Sequence, residues 1–71
     1  MYYQRLKDIR EDNDMNQKHI ANILNITQQQ YSLYENGTRE IKTHQLRQLA
    51  IYYNISADYL LGIIDEPRPI K

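Results

Sequence analysis

The chain has 71 residues, with nine basic and nine acidic side chains and no cysteine. That makes one small domain with a limited core, no disulfide or thiolate metal site to staple it, and no apolar run of membrane-spanning length. A formal net charge of zero excludes a uniformly basic nucleic-acid binder, because such affinity leans on positive charge; any role of that kind has to rest on how the charges are distributed. The core must come from Ile, Leu and seven Tyr, with Phe and Trp absent, and each buried Tyr needs a place for its hydroxyl at the core margin. The N-terminal MYYQRLKDIR has a helical pattern and lacks the apolar segment of a secretory signal, which points to an intracellular protein.

The first predicted helix runs from Tyr2 or Tyr3 to about Asp12. Tyr2, Leu6 and Ile9 recur at helical spacing, and Arg10 lies beside that face. Asn13-Asp14 ends the helix, Met15 points inward as a plug, and Asn16 caps the next. The second helix covers Gln17 to Leu24, with Ile20 and Leu24 on one face and Ala21 and Ile23 widening it. Asn25 then reverses the chain, since Asn tolerates a positive φ better than most residues. Ile26 plugs the turn. Thr27 opens the third helix and Gln30 sits three residues on, the spacing of a capping box.

That third helix, Gln28 to Glu35, is divided in character. Tyr31 and Tyr34 share the inward face. Outward it shows Gln28, Gln29, Ser32 and Leu33 rather than the Lys and Glu of an ordinary solvated helix. A glutamine amide places a donor beside an acceptor, which matches N6 and N7 of adenine in the major groove, and a leucine can touch a thymine methyl. Gln28 is therefore assigned to adenine, Gln29 to a guanine or to two adjacent base pairs, and Ser32 and Leu33 to secondary base contacts. Gly37 follows Asn36 as the stop.

Thr38 to Lys42 is a loop, and Thr43 is the expected cap of a fourth helix burying Leu46, Leu49, Ala50 and Tyr53. Asn54-Ile55-Ser56 repeats the reverse, plug and cap sequence of the earlier turn. A fifth helix follows, with Asp58 in its first turn, where it suits the helix dipole, and with Tyr59, Leu60 and Leu61 packing. Asp65-Glu66-Pro67-Arg68-Pro69 cannot continue a helix. The chain thus divides into a domain of residues 1–64 and a tail of residues 65–71. Ile63, Ile64 and Ile70 either cover the edge of the core or meet a second copy. Arg39, Lys42, His44 and Arg47 give a modestly positive face after the third helix, opposed by acidic residues near both ends of the chain. Asn16 and Gln17 at the start of the second helix, together with Asn36, Arg39, Lys42 and Thr43, are the candidates for phosphate contact.

Gln17, Ala21, Thr27-Gln28-Gln29 and Glu35-Asn36-Gly37 resemble the helix-turn-helix of lambdoid phage repressor and Cro proteins and of the bacterial xenobiotic-response-element regulators. Leu6-Lys7-Asp8-Ile9-Arg10 is similar to that family's first helix. Leu49-Ala50 and Asn54 to Gly62 are similar to its last two, so the resemblance covers Tyr3 to Gly62. It implies an all-α bundle of five helices, with the third in the major groove and the second across the backbone. It also implies an ion pair between Arg10 and Glu35, which would fix geometry more than add stability. The chain departs from the family at Asp14, where Gly is frequent, at Ile41, where Pro is frequent, and at Leu33, where some relatives carry Gln; operator preference therefore does not carry over.

The expected function is sequence-specific binding of double-stranded DNA and transcriptional regulation, most naturally repression. A homodimer would read a near-palindromic operator in the cytoplasm of a bacterium, at the nucleoid, from a bacterial or phage gene. Neither cofactor, metal, membrane nor small-molecule ligand is indicated. His19 and His44 are lone histidines without metal-ligand spacing, and no nucleophile–base set suggests an enzyme. The alternative is a protein-interaction module, the antitoxin or adaptor of a two-protein system, for which the proline-bearing tail is the only fitting feature.

Overall fold

The computed structural model describes residues 4–70. Among them are five helices and no strand: α1 (Gln4–Asp12), α2 (Gln17–Leu24), α3 (Gln28–Glu35), α4 (Thr43–Tyr53) and α5 (Ala57–Leu60). The start of the first helix at Tyr2 or Tyr3, and the inward role given to Tyr2, lie outside the described residues. Each helix sends one large side chain wholly into the interior: Leu6, Ile20, Tyr31, Leu49 and Leu60. Burying one such side chain is worth roughly 1.5–3 kcal/mol, so every helix is held by the same centre. Around it α2 packs on α3 and α4, α1 on α3 and α5, and α4 on α5.

The connections repeat one device. Asp14, Asn25 and Asn54 all take the left-handed conformation, with φ of 54°, 58° and 52°. In each case the next residue donates its N–H back across the helix end: Met15 to the Arg10 carbonyl, Ile26 to that of Ala21, Ile55 to that of Ala50. These bonds satisfy carbonyls that the helix leaves without partners, and they turn an apolar side chain inward. Ile55 is buried, while Met15 and Ile26 pack against the core from a half-buried position. Gly62 (φ 80°) ends α5 in the same way, Ile63 N–H donating to the Asp58 carbonyl at 2.8 Å. Ile63 nevertheless stays 69% exposed and does not cover the core, whereas Ile64 does pack against it.

The start of α4 differs from expectation. Thr43 is its first helical residue, and Lys42 occupies the cap position. A lysine side chain has no acceptor to offer, and Gln45 takes over: its Oε1 accepts from the Lys42 N–H at 3.1 Å, and the residue is buried. Ile41, where the resemblance would have placed Pro, is buried as well and anchors the preceding loop in the core. At the α2–α4 contact the exposed His19 ring places Nε2 3.1 Å from the Tyr52 hydroxyl, which in turn donates to Met15 Sδ at 3.7 Å.

The tail folds back on the body. Ser56 N–H donates to the Arg68 carbonyl at 2.6 Å. Arg5 donates to the Asp65 carbonyl at 3.2 Å, and its guanidinium carbon lies 4.5 Å from the centre of the Tyr59 ring. Ile70 closes one side of an apolar groove of about 480 Å³ whose other walls include Leu46, Ala50, Ile51, Ala57 and Leu61.

The hydroxyls of Tyr31 and Tyr53 are buried with no hydrogen-bond partner among the described residues. Burial raises the pKa of both phenols, because an ionised oxygen there would lose its hydration. An unpaired buried hydroxyl costs about 1–3 kcal/mol. Tyr53→Phe is therefore expected to leave thermal stability unchanged or to raise it by up to ~1 kcal/mol; a clear fall in the melting temperature would reveal a bond that this hydroxyl makes in solution.

Candidate nucleic-acid interface

The interface begins with the back of α3. Tyr31, Tyr34 and Glu35 are its buried residues, and the two tyrosine rings meet edge to face, 6.5 Å between centres at 89°. Helical spacing then puts Gln29 on the opposite side and Gln28 on the flank, three residues before Tyr31, and in the first turn both are exposed. Neither makes a hydrogen bond to another described residue, so their amides are free to rotate toward a ligand. Ser32 and Leu33 sit further along that side, half exposed. The N-terminus of α3 is held by a complete capping box: Gln30 N–H donates to Thr27 Oγ1 at 3.1 Å, and Thr27 N–H donates to Gln30 Oε1 at 3.0 Å.

The other end of α3 is fixed by its own charge. Arg10 Nε and Nη2 donate to the two Glu35 oxygens at 2.7 and 3.0 Å, a bidentate pair. The side chains are only 12% and 5% exposed. Arg10 Nη1 also donates to the Met15 carbonyl at 2.8 Å, and Gln17 Nε2 donates to Glu35 Oε1 at 3.1 Å. One carboxylate thus ties α1, the turn after it, the start of α2 and the end of α3. Burial pushes the Glu35 carboxyl up, but the Arg10 hydrogen bonds, the adjacent Tyr31 hydroxyl, the Gln17 hydrogen bond and the Arg10 charge together outweigh it and hold the group below the usual carboxylate range. The same pairing raises Arg10, which stays charged throughout the accessible pH range.

The residues expected at phosphates fall around this cluster. Asn16 caps α2 by accepting from His19 N–H at 2.8 Å. Gln17, half buried, spends one N–H on Glu35 and keeps its second for another acceptor. Asn36 is exposed, its Oδ1 accepting from Thr38 N–H at 2.9 Å. Arg39, Lys42 and Thr43 are exposed on the loop and at the start of α4. A recess of about 350 Å³ joins Gln17 and Asn36 and is also lined by Lys7, Arg10, Ser32 and Glu35. Lys7 was given no role from the sequence; its signal was the three-residue offset from Arg10, which puts both on one side of α1. Among the described residues no three His, Cys, Asp or Glu side chains gather as a metal set, and no helix is long and apolar enough to cross a membrane.

Residues 3–66 match the helix-turn-helix domain family. The chain is 33% identical over 69 residues to the uncharacterised HTH-type transcriptional regulator YobD of Bacillus subtilis, covering 97% of this chain and 62% of that protein. It is 43% identical over 58 residues to the HTH-type transcriptional regulator ImmR of the same organism (82% and 46% of the two chains). It is 31% identical over 55 residues to the cryptic phage CTXphi transcriptional repressor RstR of Vibrio cholerae (78% and 50%). The chain therefore spans between 46% and 62% of the length of these relatives. The crystal structure of a transcriptional regulator from Listeria innocua superposes with a TM-score of 0.82 over 93% of this chain and 62% of that one, at 24% identity, a likeness of fold.

The Glu35 cluster can be tested by stability. Removing one partner of a covered ion pair leaves the other charge uncompensated, so Arg10→Ala should cost about 3 kcal/mol in urea unfolding, and a joint change of Arg10 and Glu35 to Met much less. The lowered Glu35 pKa also sets a pH dependence. Its contribution is complete above the unfolded-state value of about 4.3 and is lost as pH falls through the folded-state value. Glu35→Gln should therefore flatten the acid limb of the stability profile; equal slopes in both proteins would contradict the cluster's role.

Proposed function

Because the chain belongs to the repressor- and Cro-like helix-turn-helix family, we propose that it binds double-stranded DNA in a sequence-specific way and regulates transcription by occupying an operator. The observation that carries this reading is the pair of unpartnered amides, Gln28 and Gln29, held outward on a helix pinned from behind by Tyr31, Tyr34 and Glu35. In this reading α3 lies in the major groove, its first turn at the base edges. Gln28 pairs bidentately with adenine, Gln29 with a guanine or across two base pairs, and Ser32 and Leu33 add secondary contacts. Asn16, Gln17, Asn36, Arg39, Lys42 and Thr43 set the register on phosphates, joined by Lys7. Repression fits the relative named as a phage repressor, and the site of action is the bacterial nucleoid in the cytoplasm. No catalytic step belongs to it.

Two copies are needed. The described body measures 29 Å along its longest axis, short of the ~34 Å between half-sites one helical turn apart. One neutral module also neutralises few phosphates, which limits its affinity and its salt dependence. A homodimer on a near-palindrome supplies both span and affinity. We assign the second copy to the groove between α4, α5 and the tail, where Ile51 and Ile70 are exposed. Thr43 lines that groove and is also a phosphate-side residue, so a copy seated there remains beside the duplex.

Selecting bound duplexes from a random pool tests binding, palindromy and spacing at once. On the duplex so obtained, Gln28→Ala with Gln29→Ala should remove sequence preference, at ~1–3 kcal/mol for each lost bidentate contact, and leave the melting temperature within about 2 °C of the parent. A large loss of stability instead would mean that these amides are structural.

A further inference from the structure

The interface amides divide into two kinds, and the division is set by chemistry. An amide carries one acceptor and two donors. A backbone N–H can only donate, so any amide it addresses must turn its oxygen inward and leave its nitrogen facing out. Asn16 is held in this way by His19 N–H, and Asn36 by Thr38 N–H. Both are candidates for phosphate contact, for which an outward donor is the required polarity. Gln28 and Gln29 have no such restraint and can present either end.

Gln30 belongs to the restrained kind. Its Oε1 is taken by Thr27 N–H at 3.0 Å, the residue is exposed, and among the described residues no acceptor meets its Nε2. It occupies the first turn of α3, directly after Gln28 and Gln29. We propose that Gln30 is a further DNA-contacting residue, a donor preset by the capping box that gives its Nε2 N–H groups to an acceptor on the duplex, either a phosphate oxygen or a purine N7 or O6 edge. The cap removes the amide's freedom before binding, so less side-chain entropy is lost than at Gln28 or Gln29. It also confines Gln30 to acceptors. The inference rests on the reading that the first turn of α3 faces the duplex.

Gln30→Glu separates the two jobs of this side chain. Glutamate keeps the acceptor that the Thr27 N–H needs, and it suits both the capping box and the helix dipole. It removes both donors. The variant is expected to melt at or above the parent temperature and to bind the pool-selected duplex at least about tenfold more weakly. Gln48→Glu, an equal charge change at an exposed position on α4 outside the interface, measures the general electrostatic cost. Gln30→Glu binding no more weakly than Gln48→Glu overturns the proposal. Gln28→Ala is run beside them. If it too binds like the parent, the orientation of α3 has failed; if it binds weakly while Gln30→Glu does not, only the Gln30 contact has. The source of the acceptor follows from two duplexes, one with a single uncharged methylphosphonate and one with a single 7-deazapurine. A replacement that costs the parent protein affinity but costs Gln30→Glu little more identifies the phosphate or the base edge as the partner.

Discussion

A buried carboxylate at the end of α3 is the constraint on which the rest depends. Glu35 is nearly inaccessible, and an ion there is tolerable only if donors replace the water it has lost. They arrive from two other elements: a two-pronged guanidinium from α1 and an amide from the first residue of α2. Because a guanidinium is planar and its bonds are directional, the pair sets the rotation of α1 against α3 as well as their separation. The third Arg10 bond, to the Met15 carbonyl, fixes the turn that delivers Asn16 to the start of α2. Burying a pair of this kind costs about as much as it returns. Its contribution is therefore to the placement of two helix ends, those at which Gln17 and Asn36 stand.

Seen from this cluster, α1 and the core have a clear purpose. α1 holds none of the proposed base-reading residues, yet it carries Leu6, wholly buried, and Arg10. Tyr31 and Tyr34 give α3 a rigid back with few rotatable bonds, while Gln28, Gln29, Ser32 and Leu33 remain accessible. The buried Tyr31 hydroxyl without a partner is the cost of filling that back with tyrosine in a chain that has no phenylalanine.

The polarity of the interface follows the same logic. In the proposed interface a chain of zero net charge draws little on its overall field, so directional donors carry more of the load. The Thr27–Gln30 box and the Asn16 cap stabilise helix ends and Asn36 braces the turn after α3; in each case a backbone N–H occupies the oxygen of an amide and leaves its N–H groups for other acceptors. Local helix chemistry thus prepares a donor-rich edge without adding a positive charge.

The sequence by itself determined the parts governed by short spacing. The bounds of α2 and α3, the Thr27–Gln30 box, and the left-handed reversals at Asn25 and Asn54 each depend on residues within one helical turn, so side-chain chemistry at fixed offsets was enough. The tertiary structure alone decided the rest. Ile41 turned inward and Ile63 outward because distant elements did or did not offer them a wall. Gln17 surrendered one donor to Glu35, eighteen residues away, and Arg68 lent its carbonyl to Ser56 across the end of α5. Such contacts join residues that no local pattern relates, and only a packed core brings them within bonding distance.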